Sequence, residues 1–89
     1  MQKYISSNLS IGILGGGQLG KMLTDVARKW DIRTHILDCN PGAPAKNSCY
    51  RFVQGDLMDY ETVLNFGKDV NVLTIEIEHV NIDALYELE

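Results

Sequence analysis

A cluster of glycines directly after an apolar segment is the feature that most constrains the fold of this chain. The segment 15–20 reads Gly-Gly-Gly-Gln-Leu-Gly, which matches the pattern Gly-x-Gly-x-x-Gly. It follows the apolar segment 9–14 and precedes the segment 18–29, whose apolar side chains recur at helical spacing. A strand, a glycine turn and a helix in this order are typical of a parallel sheet with helices packed on its faces.

The rest of the chain continues this alternation of strands and helices. Strands are predicted at 9–14, 32–37, 50–54 and 72–77, helices at 18–29, 60–66 and 82–88, and a short helical turn near 45–49. Asp59 and Asn81 are candidate helix caps, and Gly67 is a candidate stop signal. We therefore predict an α/β fold, a Rossmann-like parallel sheet of about four strands in the order 3-2-1-4 with helices on both faces.

Two expectations concern the core. Strands one and four are the most apolar, so we expect both to be buried on their two faces. Trp30 follows the first helix at the spacing of its apolar positions, which predicts an anchor for the helix end in the core.

Composition limits the function classes that are open to the chain. Its 89 residues form one small domain, too small for a complete two-substrate active site. The formal charge of -4 argues against a nucleic-acid partner, and no apolar stretch approaches the ~20 residues of a membrane span. Cys39 and Cys49 lack metal-ligand or redox spacing, so we interpret them as reduced thiols of a cytoplasmic protein. We predict no metal site and no catalytic residue within these residues.

The glycine turn is the first candidate binding element. Gly15 permits the tight turn, Gly17 lets a phosphate approach the backbone, and Gly20 lets the helix pack closely on the strand. The unpaired amides of the first helical turn then favour an anion. The candidate binding residues here are Gly16, Gly17, Gln18 and Leu19. The alternative is a tight connection that binds nothing.

Acidic residues follow two of the predicted strands and extend the candidate site. Glu76 and Glu78 end strand four, beside strand one, where the strand order reverses. We expect Glu76 to face Gln18 and to favour a ligand with one phosphate and polar groups at its other end. Asp38 ends strand two, where it could hold the ribose of a dinucleotide or form the turn before Pro41. For Glu76 and Glu78 the alternative is a solvated strand end.

Four segments of the chain together resemble the N5-carboxyaminoimidazole ribonucleotide synthase family. They are 11–22, 37–45, 55–59 and 74–80, and the resemblance covers residues 9 to 89. The combination of Gly-Gly-Gly-Gln-Leu-Gly with the double-Glu tip carries most of it. Two positions depart from the family pattern: His79 stands where we expect Asn, and Lys21 where Arg is common.

The resemblance implies that residues 1–89 are the N-terminal, biotin-carboxylase-like domain of an ATP-grasp ligase, a fragment whose ATP-grasp and C-terminal domains are absent. The full-length ligase would use ATP and Mg2+ to carboxylate 5-aminoimidazole ribonucleotide with bicarbonate in de novo purine biosynthesis. The fragment is expected to be inactive and to bind neither ATP nor Mg2+ alone.

The resemblance also implies roles for single residues and a state for the whole enzyme. Gly17, Gln18, Leu19 and Glu76 would contact the ribonucleotide, and the full-length enzyme would be a cytoplasmic homodimer. Two alternatives stay open. One is a related ATP-grasp enzyme such as the formate-dependent glycinamide ribonucleotide transformylase, and the other is a dinucleotide (NAD)-binding Rossmann module.

Overall fold

Four parallel strands form one sheet in the order β3-β2-β1-β4. The computed structural model describes residues 9–75 and 82–88. The strands are β1 (Ser10–Leu14), β2 (Arg33–Asp38), β3 (Arg51–Gln54) and β4 (Val72–Ile75). At the carboxyl edge Leu14 lies between its register partners Leu37 and Ile75. The predicted strand order and parallel pairing are confirmed, and the carboxyl ends of β1, β2 and β4 meet at one edge of the sheet.

Helices connect the strands as the alternation predicts. They are α1 (Gln18–Lys29), a short 3-10 helix (Pro44–Asn47), α2 (Tyr60–Lys68) and α3 (Ile82–Leu88). The Asp59 carboxylate caps α2 by accepting from the Thr62 amide at 2.9 Å. The hydrogen bond from the Thr62 hydroxyl, at 2.6 Å, together with that from the amide, lowers the pKa of Asp59. Helix α2 continues through Gly67 to Lys68, so the predicted stop at Gly67 was wrong. The candidate cap Asn81 lies outside the described residues.

The two faces of the sheet carry separate apolar clusters, because successive side chains of a strand point to opposite faces. On one face Leu14 and Leu37 pack with α2 and α3. That cluster contains Leu14, Leu37, Leu57, Val63, Leu64, Phe66 and Ala84. On the other face Ile13 and Ile36 pack with Ala45 of the 3-10 helix. Helices therefore cover both faces, as predicted.

Helix α1 meets the rest of the domain through its small residues. Gly20, Thr24 and Ala27 are buried, at helical positions i, i+4 and i+7. The large apolar side chains, which we call the α1 apolar face, are 46% to 67% exposed. They are Leu19, Met22, Leu23, Val26 and Trp30. Trp30 is 67% exposed, so the prediction that it anchors the helix in the core was wrong.

Strand β4 is less buried than its sequence suggests. It lies at the edge of the described sheet, and both Val72 and Ile75 are about half exposed. The expectation that β4 is buried on both faces was therefore wrong for this chain. A groove of about 270 Å³ opens between the strands and α1, and its lining includes Ile11, Thr74 and Trp30.

The histidine of strand β2 is buried and accepts a hydrogen bond from a residue of the neighbouring strand. His35 is 8% exposed, and its Nδ1 accepts a hydrogen bond from Arg51 Nε at 2.9 Å. Burial lowers the pKa of His35, the charges of Arg51 and Arg33 lower it further, and that of Asp69 raises it. Neutral imidazole is therefore the form that suits this site. Among residues 9–75 and 82–88, no helix is long and apolar enough to cross a membrane.

Candidate functional site

The turn between β1 and α1 reverses the chain within three residues. Gly15 donates its amide to the carbonyl of Leu37 at 2.9 Å and has a φ of 113°. That backbone conformation favours glycine, since a Cβ is strained there. Gly17 precedes the helix as its N-cap with extended backbone, φ -74° and ψ -159°. The helix then begins at Gln18.

Gly20 allows the helix to lie directly against this turn. A Cβ built on Gly20 would come within 2.7 Å of the carbonyl oxygen of Gly15. A backbone oxygen cannot turn aside as a side chain can. The close helix–strand packing predicted for Gly20 is therefore confirmed by the geometry, and it brings the first turn of α1 down to the edge of the sheet.

The start of α1 offers backbone amides to a ligand. The Lys21 amide donates to the Gly17 carbonyl at 2.9 Å, which is the first intrahelical bond after the N-cap. The amides of Gly17, Gln18 and Leu19 precede that bond, where a helix has no internal acceptors. No acidic residue stands in the first turn. The helix dipole and these N–H groups together favour an anion at this place.

The amide of Gly16, the remaining candidate, already donates a hydrogen bond within the protein. Gly16 donates to Asp38 Oδ2 at 2.7 Å, and its carbonyl accepts from the Ala45 amide at 2.9 Å. The structure therefore brings Gly16, Gly17, Gln18 and Leu19 together but presents only the last three amides at the helix start. Direct contact of any of them with a ligand stays a prediction.

Asp38 forms the turn before Pro41, which is one of the two roles that the sequence allows for it. Its Oδ1 accepts from the Asn40 amide at 2.9 Å, and Asn40 Oδ1 in turn accepts from Gly42 at 2.9 Å. The bond to Gly16 was not foreseen. The available signal was the position of Asp38, at the end of the strand that pairs with β1.

The acidic tip of strand four falls outside the described residues. Glu76, Glu78 and His79 belong to this segment, so the proximity of Glu76 to Gln18 stays a prediction. Ile75, the residue before Glu76, pairs with Leu14 directly before the glycine turn. The chain therefore enters this segment beside the candidate site.

The described residues hold no group of three or more His, Cys, Asp or Glu side chains that could bind a metal ion. Both cysteines are free thiols, and burial raises the pKa of Cys49. A raised pKa keeps the Cys49 thiol protonated and makes it a poor nucleophile or metal ligand.

Comparison with known proteins identifies a family that matches most of the chain. Residues 9–89 match the family model of the ribonucleotide synthetase preATP-grasp domain. The chain is also 42% identical over 82 residues to the phosphoribosylaminoimidazole carboxylase of Candida albicans, covering 90% of this chain and 14% of that protein.

Two crystal structures show the same architecture in longer proteins. The N5-carboxyaminoimidazole ribonucleotide synthetase of Thermotoga maritima is 35% identical with a TM-score of 0.85, covering 90% of this chain and 22% of its own. The N5-carboxyaminoimidazole synthase of Aspergillus clavatus, in complex with ADP and 5-aminoimidazole ribonucleotide, is 36% identical with a TM-score of 0.79, covering 90% and 21%. This chain thus spans between 14% and 22% of the length of these relatives.

Proposed function

Because this chain belongs to the ribonucleotide synthetase preATP-grasp domain family, we propose that it is the ribonucleotide-binding N-terminal domain of an N5-carboxyaminoimidazole ribonucleotide synthase. The observation that carries the proposal is the family match across residues 9–89, which includes the glycine turn and its exposed helix start. The relative from Aspergillus clavatus was crystallised with 5-aminoimidazole ribonucleotide, which is the ligand we assign to this domain.

The complete enzyme would carboxylate 5-aminoimidazole ribonucleotide with bicarbonate, with ATP as the third substrate, in purine biosynthesis. ATP and Mg2+ would bind to ATP-grasp and C-terminal domains of the complete enzyme, outside the matched region. This chain alone would therefore bind the ribonucleotide without turning it over. A homodimer in the cytoplasm is part of the same proposal for the complete enzyme.

Within this domain, the proposed role of the site residues is to bind the ribonucleotide and to orient it. The amides of Gly17, Gln18 and Leu19 would hold the phosphate, because a helix start supplies N–H donors and the first turn of α1 carries no acidic side chain. Glu76 would accept hydrogen bonds from ribose hydroxyls or from the amine of the ligand. A phosphate held at one end and polar groups held at the other would fix the amine in a single orientation.

The alternative of an NAD-binding module is less well supported. Such a module uses an acid after its second strand to bind a ribose hydroxyl. Here both oxygens of Asp38 accept hydrogen bonds from backbone amides, those of Gly16 and Asn40. The formate-dependent transformylase alternative predicts a different ribonucleotide, so a binding experiment can separate it from the proposal.

The test is titration of the 15N-labelled chain with 5-aminoimidazole ribonucleotide, followed by amide chemical shifts. The proposal expects saturable shifts at Gly17, Gln18 and Leu19. Three comparison ligands accompany it: the corresponding riboside without phosphate, glycinamide ribonucleotide and NAD. The riboside and NAD should leave these amides unshifted at the same concentrations, and glycinamide ribonucleotide should bind more weakly.

Single substitutions test which residues form the binding site. Gly17→Val should abolish the shifts, since its side chain fills the space that the phosphate needs. Gly42→Ala, in the loop after β2, should leave the affinity unchanged, because its added Cβ would lie 3.5 Å from Asn40 Oδ1, an ordinary contact. Glu76→Gln should weaken binding of the ribonucleotide but not of inorganic phosphate. Tight binding of NAD, or unchanged ribonucleotide binding by Gly17→Val, would count against the proposal.

A further inference from the structure

The carboxylate of Asp38 bridges two segments that both border the candidate site. Its Oδ2 accepts the Gly16 amide at 2.7 Å and its Oδ1 accepts the Asn40 amide at 2.9 Å. Gly16 belongs to the glycine turn, whereas Asn40 begins the loop after β2. One side chain therefore connects the turn before α1 to a loop from another part of the chain.

The peptide groups around Gly16 are restrained from other directions as well. The Gly16 carbonyl accepts from Ala45 at 2.9 Å, and the preceding amide, of Gly15, donates to Leu37 at 2.9 Å. A Cβ on Gly16 would lie 2.9 Å from Ile36 Cγ2 and 3.2 Å from Ala43 Cβ, so the backbone is enclosed on this side. Movement of the turn therefore requires breaking the bond to Asp38 or moving the packed loop.

The next three amides along the chain are the ones assigned to the phosphate. The Gly17 N–H lies in one rigid peptide plane with the Gly16 carbonyl, which the Ala45 amide holds, and the Gly16 N–H lies in the preceding plane, which Asp38 holds. With both planes held, the φ and ψ of Gly16 are restrained and so is the direction of the Gly17 amide. A hydrogen bond to an ionised acceptor is about twice as strong as one between neutral groups. The Asp38 carboxylate is thus a strong restraint at the start of the binding turn.

We propose that Asp38 is a positioning residue, which holds the glycine turn in its ligand-binding conformation and does not itself contact the ribonucleotide. The inference rests on the proposed function for the identity of the ligand. It assigns to Asp38 a role that differs from the ribose-binding acid of dinucleotide folds at the same place in the chain. A residue of this kind changes the affinity for every ligand that uses the phosphate site, whatever the rest of the ligand contains.

The test uses Asp38→Asn, because the amide keeps the size of the carboxylate. Its single oxygen can accept from only one of the two backbone amides, and its NH2 group would face the other N–H donor. The matched control is Asp56→Asn. Asp56 Oδ1 accepts from the Met58 amide at 2.9 Å in the same local turn pattern as Asp38 and Asn40, and this bond stays within its own loop. Should Asp38→Asn fail to fold, Asp38→Ser keeps one acceptor and is measured in its place.

The first readout is made without ligand. In Asp38→Asn the Gly16 amide either loses its acceptor or donates to a neutral oxygen in place of a carboxylate. Its resonance should therefore move upfield, and its hydrogen exchange should become faster, by up to roughly tenfold. Asp56→Asn should leave Gly16 unchanged. An unchanged Gly16 amide in Asp38→Asn would overturn the proposal, whether or not any ligand binds.

The second readout separates positioning from direct contact. The dissociation constants of methyl phosphate and 5-aminoimidazole ribonucleotide are measured for both variants by the same amide shifts. Positioning predicts that Asp38→Asn weakens both ligands by the same factor, roughly tenfold. A loss confined to the ribonucleotide would mean that Asp38 touches the ribose, and that result would overturn the proposal. If the unaltered chain binds neither ligand, the proposed function fails, and the Gly16 measurement alone decides the role of Asp38.

Discussion

Replacing Gly20 with alanine tests the packing on which the candidate site depends. The new Cβ would lie 2.7 Å from the Gly15 carbonyl oxygen and 3.9 Å from Ala45 Cβ. Alanine gains up to about 1 kcal/mol of helix propensity over glycine. Overpacking against a fixed neighbour costs about 1–3 kcal/mol, and this neighbour is backbone. We therefore expect Gly20→Ala to lower the free energy of unfolding by about 1–2 kcal/mol.

Gly42→Ala provides the matched control. Within residues 9–75 and 82–88, its added Cβ would meet only Asn40 Oδ1, at 3.5 Å, which is an ordinary contact. The substitution also restricts the unfolded chain, so it should be neutral or stabilise by about 0.5 kcal/mol. The two variants share the same chemical change and differ in what the methyl group meets.

Urea unfolding followed by far-UV circular dichroism measures both variants. In a domain of this size 1 kcal/mol corresponds to a shift in Tm of about 4–8 °C, so thermal unfolding gives an independent check. The amide shifts of Gly17 and Gln18 should change in Gly20→Ala but not in Gly42→Ala, because the helix start must move away from the turn. If Gly20→Ala is as stable as Gly42→Ala, the helix does not pack rigidly on the turn and the reasoning fails.

Three further predictions concern other parts of the domain. Asp59→Ala should lower the free energy of unfolding by about 1 kcal/mol in urea, since the Thr62 amide loses its cap, and an unchanged value would contradict the capping role. The pKa of His35 lies below its ordinary value of 6.5, so the unfolded chain binds the proton more readily. The stability that this site contributes should be complete above pH 6.5 and fall as the pH decreases below it. His35→Gln, whose side-chain oxygen can still accept from Arg51, should flatten the stability profile between pH 5 and 6.5, roughly the range below the ordinary histidine pKa; an equally steep profile would refute the assignment. Val26→Lys should change stability by less than about 0.5 kcal/mol and reduce binding of a hydrophobic dye, because Val26 is 55% exposed; a large loss of stability would show that Val26 is buried.

Much of the fold follows from local patterns in the sequence. The helix 18–29 was predicted with the bounds that the structure shows, because its start is set by the glycine turn and its length by an uninterrupted helical pattern. The strand order 3-2-1-4 followed from the alternation of strands and helices, which is typical of one half of a doubly wound sheet, and from the apolar character of strands one and four. The end of α2 was misplaced because Gly67 was interpreted as a stop, whereas the helix continues through it to Lys68.

The burial of α1 could not be predicted from periodicity. The pattern shows which side chains share a face, but it does not show which face meets the sheet. Leu19, Met22 and Trp30 are the larger apolar residues, yet Thr24 and Ala27 make the buried contact. The helix backbone approaches the rest of the domain closely, so only small side chains fit at the contact. This closeness is a property of the tertiary structure, which the local sequence pattern does not contain.

The candidate site was predicted in part. The glycine turn and its helix start are identifiable because the φ of Gly15 and the contact at Gly20 both require glycine. The bond from Gly16 to Asp38 joins residues 22 positions apart, and only the register of β1 and β2 brings them together. Glu76 lies outside the described residues, so its part in the site stays a prediction.

The short side chains that hold α1 have a consequence for the rest of its surface. The helix is held by Gly20, Thr24 and Ala27, which are all buried. The large apolar side chains, among them Val26, line the groove beside the strands or face solvent. Those positions can therefore vary with little effect on the first-turn amides, whereas a methyl group added at Gly20 meets the backbone of the glycine turn directly.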